Sequence, residues 1–123
     1  MNKQQLEKRT KEFAIGVIRF VGTFPKTKEA NIIGYQLIKS GTSVGANYRE
    51  ANRAESHNDF IHKIGVVEKE SGESQYWLEI CEAINLGNAK ERIWLYQECS
   101  EFVAIFSSAG KTAKERRDKQ KGV

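Results

Sequence analysis

The sequence predicts an all-α fold, an antiparallel up-and-down bundle of four helices. Three observations carry that prediction. Apolar residues recur at alternating spacings of three and four in four separate segments, the period of a helix with one buried face. The breaks between the segments are short, which favours antiparallel neighbours. Proline occurs once, at Pro25, inside one of those breaks. The 123 residues suit one domain, with a bundle over residues 1–110 and a basic helix end or tail over residues 111–123.

The first helix is expected from about Gln4 to Gly22, with Leu6, Thr10, Phe13, Val17 and Phe20 on one face. The second runs from about Lys28 to Arg53 behind Thr27 as N-cap. Its stripe is Ala30, Ile33, Leu37, Ser40, Val44, Asn47 and Ala51. Ser40 and Asn47 interrupt an apolar line, so a buried Asn47 is expected to bond a neighbouring helix or a ligand. The third helix opens with Ser56 as N-cap and Asp59 three residues on, and reaches about Leu86. One stripe is Phe60, Ile64, Val67, Ser71, Ser74, Leu78 and Cys81. Gly87 stops it, and Asn88 with Glu91 three residues later starts the fourth. That helix carries Ile93, Tyr96, Ser100, Val103, Ser107 and Gly110, widened by Leu95, Phe102, Phe106 and Ala109. Beyond Lys114 nothing apolar remains to pack, so fraying is expected there.

Glycine inside a helix costs about 1 kcal/mol against alanine, so Gly34, Gly41 and Gly45 together cost the second helix roughly 3 kcal/mol. Close helix–helix approach offsets such a cost. With the turn between the second and third helices near Glu55, Ser40 and Gly41 are expected level with Ser71 and Gly72. A second apolar line on the third helix, Val66, Trp77, Ile80 and Ile84, together with Trp94 on the fourth, exceeds the needs of one core. These five residues read as a subunit interface.

Charge is unevenly placed. Residues 1–110 hold 14 Lys/Arg and 14 Asp/Glu, so the whole net charge of +4 resides in the tail. The tail bases are Lys111, Lys114, Arg116, Arg117, Lys119 and Lys121, against Glu115 and Asp118. In an up-and-down bundle both termini share a pole, so Lys3, Lys8, Arg9 and Lys11 join them. These ten residues are the candidate nucleic-acid contacts, because bases that neutralise phosphates release condensed counterions. The tail lacks interleaved aromatics, so backbone contact without sequence preference is expected.

Other chemistries find little support. Paired Glu-x-x-His motifs build di-metal sites in bundles. Here His57 and His62 are the two histidines, and the Asp59/His62 pair has no second copy. No metal or cofactor is expected, and no nucleophile elbow, phosphate-binding glycine loop or zinc spacing occurs. Cys81 and Cys99 are expected as buried, unbridged thiols. No segment reads as a membrane span or signal peptide, which makes the cytoplasm the expected compartment.

The phrase TSVGANYREA over Thr42–Ala51, followed by DFIHKIGVVEKE over Asp59–Glu70 and YWLE over Tyr76–Glu79, resembles the four-helix-bundle family encoded in intervening sequences of bacterial 23S rRNA genes. The likeness spans about Phe13 to Ser108. It implies the up-and-down fold and a homopentameric barrel. It also implies a relative, the accessory variability determinant of diversity-generating retroelements, which is basic and binds nucleic acid and a reverse transcriptase. Within the family-like region Ser40, Gly41, Gly45, Asn47, Ser71 and Gly72 read as packing and polar-pairing residues. Arg49, Arg53 and Lys63 lie among Glu50, Glu55 and Asp59, a pattern that reads first as a structural ion-pair network and second as direct phosphate contact. The expectation is a non-catalytic, bacterial, homo-oligomeric protein, favoured as a pentamer, that contacts RNA or DNA backbone or a nucleic-acid enzyme. The alternative is an oligomeric scaffold for another protein with no nucleic-acid binding.

Overall fold

The computed structural model describes residues 1–122, so Val123 of the expected tail lies outside the described residues. Four helices occupy nearly all of them: α1 (Lys3–Val21), α2 (Lys28–Asn52), α3 (His57–Ala83) and α4 (Ala89–Gln120). Each start is capped by a side-chain oxygen, which satisfies a backbone N–H that the helix itself leaves free. Thr27, Ser56 and Asn88 take these roles as expected, accepting from Ala30, Asp59 and Glu91. Asn2 caps α1 in a reciprocal box with Gln5. At α3 the return bond lies one residue early: Asp59 accepts from the Glu55 N–H at 3.2 Å. α3 ends three residues before the expected Leu86, where Asn85 at φ 53° and Gly87 at φ 80° turn the chain. α4 is helical to Gln120, six residues past Lys114, where fraying is expected.

Cross-helix pairs run in opposite order along α1–α2, α3–α4 and α1–α4, so the four helices alternate in direction. Glu7 bonds Asn52, while Gly34 lies beside Val21. Glu79 bonds Tyr96, Gln75 bonds Ser100, and His57 meets Ala113. Arg9 bonds Glu98, while Gly16 lies beside Trp94. Each helix packs on its sequence neighbours, and α1 closes more sparsely onto α4. Both termini and the α2–α3 turn therefore share one pole.

The core follows from the apolar period. All five expected α1 residues are buried, and Phe13, Phe20, Phe102 and Phe106 are fully enclosed. Burying each such ring contributes about 1.5–3 kcal/mol. Phe13 and Phe102 meet edge to face at 5.3 Å, which favours the α1–α4 contact. On α4 the buried line is Arg92, Leu95, Cys99, Phe102 and Phe106. Leu95, Phe102 and Phe106, expected to widen the stripe, form its centre, while Ile93 is exposed. Two apolar lines compete on this helix, and the one with the larger rings faces inward. Arg92 joins it by donating Nη1 to the Leu86 carbonyl at 3.0 Å.

The glycine expectation is corrected in partner and register. Gly34, Gly41 and Gly45 face α1, not α3. A Cβ on them would come within 2.7 Å of Val21, 2.9 Å of Val17 and 3.1 Å of Thr10. Gly72 does not meet Gly41, and a Cβ there would find no atom within 4 Å. Across α2–α3, Ser40 instead accepts from Ser74 Oγ at 2.9 Å, three residues further along α3 than expected. Ser71 is buried and bonds Val67 O, and its own carbonyl accepts from Cys99 Sγ. Asn47 donates to Ser43 O at 2.8 Å, a bond within its own helix and not the expected bond across to a neighbour.

Candidate nucleic-acid interface

The terminal pole is built from three stretches of chain. α4 supplies Lys111, Lys114, Arg116, Lys119 and Lys121, all exposed, and the half-buried Arg117, which pairs with Asp118 at 3.3 Å. Where α4 leaves the bundle, Ala113 is buried and its carbonyl lies 2.8 Å from His57 Nε2. That contact ties the root of the basic segment to the start of α3.

α1 supplies the second stretch. Lys3, Lys8 and Lys11 are exposed, and Lys8 lies 4.0 Å from Glu12. Arg9 is not a free cation. Its guanidinium donates to Glu98 at 2.9 and 2.6 Å and to Glu101 at 2.9 Å, and sits 5.1 Å over the Phe102 ring. The hydrogen bond to Glu98 holds its pKa above the ordinary arginine value against the opposing pull of burial. This side chain joins α1 to α4 and is not available to a phosphate.

The α2–α3 turn supplies the third stretch. Arg53 is exposed at the pole and shares a hollow with Asn2, Lys3, Glu7 and Asn52. Its signal was topological, because the last residue before that turn must sit with the termini. Arg49 lies one turn deeper, its Nε 3.7 Å from Glu7 Oε1. Lys63 pairs with Asp59 at 3.0 Å, and that bond holds the Asp59 carboxyl below its ordinary pKa. Glu50 is exposed on the outer side of α2. The Arg49–Glu7 and Lys63–Asp59 pairs are separate, so Arg49, Arg53 and Lys63 do not form one ion-pair network.

The five residues read as a subunit interface divide in two. Ile84 and Trp94 are 56% and 45% exposed, whereas Val66, Trp77 and Ile80 are half-buried, and Trp77 packs on the core. The Trp77 indole N–H is enclosed without a hydrogen-bond partner among the described residues. Tyr76 and Ile93, 54% and 57% exposed, extend the apolar surface and were missed. Tyr76 falls on a line with Gly65 and Gly72, whose period is readable but whose small residues look like a packed face.

Burial raises the pKa of Cys81 to about 11 and that of Cys99 to about 12, which disfavours the thiolate. Among the described residues, no group of three or more His, Cys, Asp or Glu is placed to hold a metal ion. None of the described helices is long and apolar enough to cross a membrane.

The family described as 23S rRNA-intervening sequence protein matches residues 2–108, a span that holds Lys11, Arg49 and Arg53 and stops short of the basic tail. No curated protein matches the chain. Among solved structures, the chain is similar to a protein with unknown function from the S23 ribosomal protein family of Bacteroides thetaiotaomicron VPI-5482, determined at 1.70 Å. The two share 28% identity and a TM-score of 0.80, over 90% of this chain and 99% of that one.

Proposed function

The chain belongs to the 23S rRNA-intervening sequence protein family, and from that premise we propose that it is a non-catalytic homo-oligomer, a pentamer, that binds the backbone of RNA or DNA through its terminal pole. The observation that carries this reading is the placement of charge. All of the net positive charge lies on the end of α4, where five of six bases are exposed, and Lys3, Lys8 and Arg53 stand at the same pole, with Lys11 about 12 Å from Lys3 along α1. Repetition around a ring would multiply that field and favour encounter with a polyanion. The raised pKa values of both thiols support a non-catalytic role, and the two free cysteines are consistent with the cytoplasm.

A second reading keeps the assembly without the nucleic acid: a scaffold that presents a surface to a protein, a nucleic-acid enzyme included. The exposed Tyr76, Ile84, Ile93 and Trp94 favour it.

Native mass measurement followed by binding of mixed-sequence RNA and DNA across a salt series separates the two. Contact with four phosphates per site gives a slope of about −3 in log K against log salt for a single strand. Replacing Lys114, Arg116 and Lys119 by alanine in the full chain should flatten that slope. An assembly that forms yet shows no salt-dependent affinity at physiological salt is the scaffold.

A further inference from the structure

The seam between α1 and α2 opens on its solvent side into a cleft of about 190 Å³. Lys11 and Ala14 form one wall, Thr42, Ala46 and Arg49 the other, and Glu7 closes the end nearest the pole. Its depth is set by small side chains. Gly45 brings the helices together, and Ala14 and Ala46 leave the space above it open. Glu7 also lines a second hollow, on its polar side, that holds Lys3 and Arg53.

Four bases thus follow one seam against a single lining acid, and that acid is already engaged. Glu7 accepts from Asn52 Nδ2 at 2.9 Å, while Arg49 Nε stands 3.7 Å away, beyond hydrogen-bond distance. Lys11 has no carboxylate partner among the described residues. A phosphate between Lys11 and Arg49 would gain the short charge-assisted bonds that Glu7 does not give. From Thr42 to Arg53 the seam is about 16 Å long at 1.5 Å per residue. No aromatic residue lines the cleft, so the bases of the strand have no stacking platform there.

We infer that the α1–α2 cleft is a track for the phosphodiester backbone of a single strand, with Lys11 and Arg49 flanking one phosphate and Lys3 and Arg53 guiding the next. The inference rests on the nucleic-acid reading above and moves its specific contact from the tail to the seam. The tail then raises local concentration and encounter rate, while the seam orients the strand.

The test uses the full chain and a fluorescein-labelled, unstructured 15-nucleotide RNA, with anisotropy read across a potassium chloride series. Lys11→Ala with Arg49→Ala should reduce the salt slope by about 0.7, the one phosphate they flank, and weaken binding roughly tenfold at low salt. Ala46→Arg adds a base to the cleft wall and should steepen the slope by about 0.7. It also decides the matter if the double variant loses its helical circular dichroism. Lys69→Ala, on the outward side of α3, should leave the slope unchanged. If the seam variants titrate as the parent while tail alanines abolish binding, the seam inference falls and the nucleic-acid reading stands. If the parent shows no salt-dependent binding, both fall.

Discussion

Between α1 and α2 three glycines are crowded, with a Cβ on Gly34, Gly41 or Gly45 coming within 2.7–3.1 Å of the facing helix. On the outward side of α3, Gly65 and Gly72 have no atom within 4 Å of that position. The residue type is the same and the consequence opposite. In the first region the propensity cost of glycine is offset by contact that no larger residue allows. In the second, nothing within the chain offsets it, and the neighbouring surface carries exposed Tyr76 and Ile84. Glycine in a helix therefore reports close packing only where a facing side chain is found.

The strongest way to break this comparison is Gly41→Leu. Overpacking against Val17 should cost about 3 kcal/mol, and a urea melt should show the midpoint fall with little change in slope. An unchanged midpoint would mean the seam is loose. The counterpart is Gly65→Ala with Gly72→Ala, which should raise stability by about 2 kcal/mol from helix propensity alone. A loss of stability there, together with a smaller native mass, would place a second copy against those glycines. The smallest effect lies where the two regions join. The folded pKa of Asp59 is lowered, first by Lys63 and then by the Glu55 N–H. Its contribution is therefore present above the unfolded value, near 3.9, and fades as pH falls through the folded one. Asp59→Asn should make the loss of melting temperature below pH 4 slightly shallower, and matching acid limbs would show the pair contributes nothing.

Much of this architecture was legible. The α1 stripe from Leu6 to Phe20 and the caps at Thr27, Ser56 and Asn88 depend on local period and local hydrogen bonding, which neighbouring residues settle. Register was not legible. Placing Ser40 beside Ser71 assumed a symmetric turn, and the chain instead brings Ser74 there, about 4.5 Å along the axis. Nor could periodicity choose between two apolar lines on α4, or foresee that Arg92 would be buried by a carbonyl that appears only when the α3–α4 turn folds. For the candidate site, charge counting found the tail. It could not foresee that Arg9 is held by Glu98 and Glu101, or that Arg53 comes to stand beside Lys3 across the pole.

The persistence of α4 to Gln120 has a mechanical consequence. Past Ala113 the helix runs about 10 Å at 1.5 Å per residue. It is a cantilever rooted at Ala113 and the His57 ring. Lys114, Arg117 and Lys121 stand along one side of it, like teeth at a fixed pitch. A load hung on its tip therefore acts as a lever on the first turn of α3, and the bundle feels it as torque.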